Sequence, residues 1–100
     1  MSRAIPVSLG KENFPKKDDV IERIHSLVKS YDVMSFVHGD DKEFCLNLFK
    51  HHPRYLEKLG DGILGIQIRL DIYGNRNFHI HRNDGSDEVI SWKKCLAAIK

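Results

Sequence analysis

Residues 64–72 read Leu-Gly-Ile-Gln-Ile-Arg-Leu-Asp-Ile. Leu64, Ile66, Ile68, Leu70 and Ile72 occupy every second position, with Gly65, Gln67, Arg69 and Asp71 between them. A strand turns successive side chains to opposite faces, whereas a helix returns apolar groups every three or four residues. The stretch therefore predicts a β-strand with these aliphatic side chains turned inward against helices and Arg69 on a wet face. Downstream, Tyr73-Gly74-Asn75-Arg76 supplies a turn, and Phe78 and Ile80 resume the alternation against Asn77, His79 and His81. Asn83-Asp84-Gly85-Ser86 is a second tight turn, with Gly85 free to take positive φ. Asp87 to Ile90 returns as a third strand, so the second half of the chain reads as an antiparallel β-meander.

Upstream the periodicity changes. Val20, Ile21, Ile24, Leu27, Val28 and Tyr31 recur at helical spacing, after Phe14-Pro15 and with Asp18 and Asp19 suited to a helix start. Phe44, Cys45, Leu48, Phe49 and His52 mark one side of a second helix, with Asp40 as its expected N-cap and Glu43 three residues on. Pro53 ends that helix, a short helical turn carries Leu56 and Leu59, and Gly60 stops it. Ala4 to Leu9 reads as a short strand, Gly10 to Asn13 as a turn, and Val33 to Val37 as a brief strand or extended link. At the far end Ser91 caps a helix whose Trp92, Cys95, Leu96 and Ile99 form a core-facing stripe. The expected fold is α+β in two layers: N-terminal helices packed on a meander of three to four strands, with a C-terminal helix. Residues 1–100 make a single domain.

Charge narrows the function. The 16 Lys and Arg against 14 Asp and Glu leave a formal +2, too balanced for a chain whose main work is coating nucleic acid. Any nucleic-acid contact must be a local patch. No stretch is long and apolar enough for a membrane span, and the start lacks the apolar core of a secretory leader. Cys45 and Cys95 are then expected as reduced, buried thiols of a cytoplasmic protein.

The residues that might carry chemistry form no catalytic set. His79 and His81 share one strand face, but a zinc site needs further ligands and the cysteines carry core parity, so no metal or cofactor is expected. Asp84, Asp87 and Asp61 sit where aspartate satisfies its own backbone. The run Lys58-Leu59-Gly60-Asp61-Gly62 lacks the order of a phosphate-binding P-loop, although its amides are candidates for one phosphate oxygen. The most promising surface is the wet face of the meander. Arg69, Arg76, His79 and His81 are expected near one another there, with Arg82 closing the middle strand and Lys93 and Lys94 next door, as a phosphate-reading patch.

A wider pattern runs from about Phe14 to Cys95. It comprises Phe14, Lys17, Arg23 and Tyr31, then His52-Pro53, then Lys58, Gly60, Gly62 and Ile63. It continues with Phe78, Arg82, Asp84, Gly85 and Ser86, and ends with Ser91, Lys94 and Cys95. This order resembles the family named for the plant "defective chloroplasts and leaves" protein. That family has small bacterial members and a related segment at the tail of the largest subunit of the plant-specific RNA polymerase V. Ile90 and Asn77 depart from the family's usual aromatic and cysteine. The resemblance implies a part in ribosomal RNA maturation and no known catalytic activity. Of the matching residues, His52, Lys58, Arg82 and Lys94 lack a packing reason and are the candidate site. The expectation is a non-catalytic RNA-associated accessory domain in ribosomal RNA processing or ribosome assembly, with RNA or a ribonucleoprotein as partner. The alternative is a protein-interaction module docking on a polymerase or ribonucleoprotein; a small enzyme comes third.

Overall fold

The computed structural model describes residues 6–99. Its elements run β1 (Val7–Leu9), β2 (Glu12–Phe14), α1 (Lys17–Lys29), α2 (Gly39–Phe49), α3 (Tyr55–Leu59), β3 (Ile63–Leu70), β4 (Arg76–Arg82), β5 (Asp87–Ile90) and α4 (Trp92–Ala98). The chain is α+β, as expected. β3, β4 and β5 form an antiparallel sheet in sequence order, and β1 and β2 form a separate hairpin. The hairpin replaces the single expected strand: Gly10 and Lys11 make the turn, and Glu12–Phe14 pairs back on Val7–Leu9. Ala4 and Ile5, the start of the expected strand, lie outside the described residues.

The inner face of the sheet carries Ile66 and Ile68 of β3, Phe78 and Ile80 of β4 and Ile90 of β5, all essentially sealed from solvent. Helices cover it with Val20, Ile24 and Leu27 of α1, Phe44 and Leu48 of α2, and Cys95 of α4. Phe49 meets Phe78 edge to face at 5.5 Å, which is the favoured geometry for an aromatic pair. Register follows: Ile66 opposes Ile80 and Ile68 opposes Phe78, so inward residues face inward residues across the ladder.

The alternation that predicts β3 is deeper in sequence than in space. Leu64 is 63% exposed, Leu70 52% and Ile72 90%. A bulge between Ile63 and Gly65 puts Leu64 out of phase. Strand pairing stops at Leu70, and Ile72 belongs to the turn. Only the two central isoleucines lie under the helices; the ends of the strand overrun that layer.

Segment 33–37 lies along the free edge of β3. Val37 N donates to Ile66 O at 2.8 Å and Ile68 N to Ser35 O at 2.9 Å, so the sheet gains a partial fourth strand. The expected wet face is thereby partly closed: Gln67 is buried, its Nε2 donates to Met34 O at 2.8 Å, and its Oε1 lies 2.9 Å from His81 Nε2.

Two helix starts differ in their capping. Ser91 accepts a hydrogen bond from Lys94 N, as a capping serine should. Asp40 does not cap α2: it lies inside the first turn and its carboxylate takes Lys11 Nζ at 2.7 Å. Arg23 of the wider pattern also has a structural role, since Glu12 and Asp41 both hold its guanidinium at 2.8 Å, and Tyr31 donates to Asp41. These bonds tie α1 to the hairpin and to α2.

Candidate functional site

The residues expected in one patch occupy three places. Arg69, His79 and His81 do share the outer face of the sheet. Arg76 and Lys93 lie on the lining of a cavity between α1, the β3–β4 turn and α4. Arg82 has the inward parity of Phe78 and Ile80, because it is two residues past Ile80, and it joins Lys94 at the opposite end of β4. A single phosphate-reading face is therefore not what the fold builds.

The outer-face group is neutralised. Asp87 is bonded to His79 Nε2, and Arg69 Nη1 approaches the same carboxylate oxygen at 3.4 Å. The bond from His79 is the main cause holding the Asp87 pKa below its ordinary 3.8. Aromatic and aliphatic side chains flank these charges: Phe36 lies 5.1 Å from the His81 ring, and Val89 opposes His79.

The other end is built differently. Glu88 points inward from β5, and two cations converge on it. Lys58 Nζ donates to Oε2 at 2.9 Å and Arg82 Nη2 to Oε1 at 2.7 Å. Their side chains are only 20% and 12% exposed, so the charges are partly desolvated and the bonds correspondingly strong. Lys58 comes from α3, Arg82 from the last position of β4, and His52 from the link between α2 and α3. His52 is buried, and its Nδ1 accepts from Arg54 N at 3.0 Å. Burial first, then the fields of nearby Lys58 and Lys94, hold its pKa below the ordinary 6.5. The hydrogen bond from Lys58 is the leading cause of a lowered Glu88 pKa. Three of the four residues without a packing reason, His52, Lys58 and Arg82, thus meet around one carboxylate, and Lys94 lies near His52.

This end has a surplus of donors. Arg82 Nη1 is buried without a hydrogen-bond partner. A buried donor left unmet costs roughly 1–3 kcal/mol, so the arrangement favours an added acceptor. Two permanent cations, Lys58 and Arg82, hold a single carboxylate, and Lys94 lies near enough to His52 to lower its pKa. The chemistry suits an oxyanion, and a phosphate oxygen above all, since a planar guanidinium matches it.

The glycines of the Lys58–Gly62 run explain how Arg82 gets there. A Cβ on Gly60 would stand 2.9 Å from Arg82 Cδ, and Gly60 has φ +50, so the arginine passes where no other residue leaves room. Asn83 N donates to Gly62 O and Asn83 Nδ2 to Asp61 O, fastening this loop to the β4–β5 turn. The loop amides do not form an anion cradle: Gly60 N and Gly62 N are spent on Leu56 O and Leu59 O. The loop is a chain reversal whose job is to bring Lys58 and Arg82 together.

Catalytic alternatives find no support in the thiols. Cys45 and Cys95 are free and sealed from solvent, and burial pushes the Cys95 pKa up to about 12 and raises that of Cys45 as well. Among the described residues no group of three or more His, Cys, Asp or Glu side chains is arranged to hold a metal ion. No described helix is long and apolar enough to cross a membrane.

Two residues escaped the sequence reading, one at each end of β4. Glu88 sits in an unremarkable Asp-Glu pair, and only the register of β5 shows that it faces Arg82. Trp92 reads as core by its spacing, yet it is half-buried and lines the cavity that holds Arg76 and Lys93.

The fold and this end define a small α+β domain with a partly buried Lys58–Glu88–Arg82 cluster. The chain belongs to the family described as "Protein of unknown function (DUF3223)", whose pattern matches residues 25–96. The matched span includes His52, Lys58, Arg82, Glu88 and Lys94. The solution NMR structure of an uncharacterized protein from Rhodospirillum rubrum has the same fold, with a TM-score of 0.85, 32% identity, and coverage of 95% of this chain and 91% of that one. A region of the Arabidopsis thaliana DNA-directed RNA polymerase IV subunit 1 is 27% identical over 97 residues. That match takes in 94% of this chain but only 7% of the polymerase subunit, so the similarity concerns one small segment of a large protein.

Proposed function

We propose that this chain is a non-catalytic, RNA-associated accessory domain whose basic end holds backbone phosphates of a structured RNA. The observation that carries this reading is the meeting of Lys58 and Arg82 on Glu88 beside His52, with Lys94 near His52 and the unmet Arg82 donor among them. Phosphate contacts position a protein on nucleic acid without reading its sequence, which fits a site rich in cations and poor in base-reading amides. The near-neutral overall charge fits a local contact, since no broad basic face is needed. The similarity to a segment of an RNA polymerase subunit supports a nucleic-acid setting, and the "defective chloroplasts and leaves" resemblance directs the proposal to ribosomal RNA processing or ribosome assembly in the cytoplasm.

Chemical-shift mapping with a short structured RNA at about 50 and 200 mM salt tests it. Shifts centred on Lys58, Arg82 and Lys94 that shrink at the higher salt are expected, because phosphate binding releases counterions. Absence of shifts at low salt, or shifts confined to Arg69, His79 and His81, would overturn it.

A second reading, a module docking on a polymerase or ribonucleoprotein protein, draws on the exposed Phe36, Val89 and Leu70 beside neutralised charges. A partner that survives nuclease treatment and is lost on Phe36→Ser or Val89→Lys would favour it.

A further inference from the structure

A second basic locus lies at the other end of β4. Arg76 and Arg82 are six residues apart on one strand, so at about 3.3 Å per residue the two loci are roughly 20 Å apart. A cavity of about 410 Å³ opens there, bounded by His25 and Lys29 of α1, Asn75 and Arg76 of the turn, and Trp92 and Lys93 of α4. Lys29, Arg76 and Lys93 are exposed, and among the described residues none of them forms an ion pair. The carboxylate on its lining, Asp71, is already occupied. It accepts from Tyr73 N at 2.8 Å, Asn75 N at 2.9 Å and Asn77 Nδ2 at 3.0 Å, so it shapes the turn and leaves the cations unclaimed.

The indole makes this more than a charged patch. Trp92 lines this cavity and also a neighbouring one of about 440 Å³ with Ile21 and Leu96, while Lys93 Nζ lies over one face of the ring. His25 stands edge-on to it at 5.8 Å, and Lys93 Nζ lies 5.8 Å from its centroid. An aromatic platform ringed by unpaired cations is what a single-stranded nucleic acid requires: bases stack on the ring while phosphates meet the cations.

We infer that the Trp92 cleft takes one unstacked nucleotide of single-stranded RNA, its base against the indole and its phosphate among Lys29, Arg76 and Lys93. The inference rests on the RNA-associated reading above and extends it, from phosphate contacts alone to a base contact at a defined second position. Lys93 and Lys94 are consecutive on a helix and so diverge by about 100°. One serves the cleft and the other the Glu88 cluster, so a strand passing the start of α4 meets both loci.

Trp92 is the one tryptophan in the chain, so its fluorescence reports on this cleft directly. Titration with hexauridylate at low salt is expected to quench it saturably, whereas inorganic phosphate at the same concentrations leaves it unchanged. The Arg76→Gln/Lys93→Gln double variant should weaken quenching by about tenfold with an unchanged circular dichroism spectrum, and Arg82→Gln should leave it within about threefold. Absent quenching, equal quenching by phosphate, or full affinity in the double variant would overturn the inference. If quenching is absent while structured RNA still shifts Lys58, Arg82 and Lys94, the cleft fails and the RNA-associated reading stands. If quenching occurs and those shifts do not, the cleft stands and the Glu88 cluster is not the phosphate contact.

Discussion

Asp87 and Glu88 are neighbours on β5, yet they face opposite sides of the sheet, and each gathers two basic partners. Asp87 meets His79 and Arg69 on the open face; Glu88 meets Lys58 and Arg82 beneath the edge of the helical layer. On the open face one carboxylate faces one permanent cation, in water, and the charges cancel. On the helix side one carboxylate faces two permanent cations, in a setting that excludes part of the solvent and leaves a guanidinium donor unmet. The same residue types therefore yield a neutralised pair on one side and, on the other, a cluster that keeps an unmet donor. Availability, set by pairing and burial, separates them.

The largest effects that probe this contrast are in the core that divides the two faces. Ile68→Ala should cost about 3 kcal/mol in urea unfolding, because it empties a sealed site, whereas Leu70→Ala should cost less than about 0.5 kcal/mol. Equal costs would show that the exposed end of β3 is covered after all.

Next comes the carboxylate pair itself. Glu88→Gln should destabilise by about 2 kcal/mol, since it leaves Lys58 and Arg82 facing each other; the 35% exposure of Glu88 keeps the loss below that of a fully buried pair. Asp87→Asn should leave the unfolding midpoint nearly unchanged. The reverse order would break the comparison.

A binding difference of smaller size should follow. Lys94→Gln should weaken affinity for structured RNA about fivefold and flatten its salt dependence by about one phosphate contact, while Arg69→Gln changes neither. Filter binding across a salt series checks both.

The smallest effect is on pH dependence. The pKa of His52 is lowered in the folded state, so below its ordinary 6.5 the unfolded chain binds the proton more readily and stability falls as pH drops. The Glu88 pKa is lowered too, so its contribution, present above the ordinary 4.5, is lost as pH falls further through its folded value. Urea midpoints from pH 7.5 down to 4 should decline in two stages. His52→Gln should remove the upper stage, and Glu88→Gln should reduce the lower one, to which Asp87 also contributes.

Much of this was legible in the residues. Period-two spacing around Ile66, Ile68, Phe78 and Ile80 and helical spacing through α1 identify the elements, because burial on one face demands that repetition. His52, Lys58, Arg82 and Lys94 could be singled out because nothing in packing required them. The meeting of the first three around Glu88 could not be read, since it depends on strand register and on the Gly60–Gly62 reversal. The expected grouping of Arg69, Arg76 and Lys93 failed for the same reason. Parity assigns a side to a residue on its own strand, but not which end of the sheet the helices cover.

Local periodicity and turn chemistry thus determined by themselves the order of the helices and the meander strands, the inward side of their central residues, and the Ser91 cap and glycine turns, because these depend on neighbours in the chain. Tertiary structure alone decided which charges cancel, which remain unmet, and that Trp92 borders a cleft. Those outcomes depend on distances between elements remote in sequence and on how much water each pair retains.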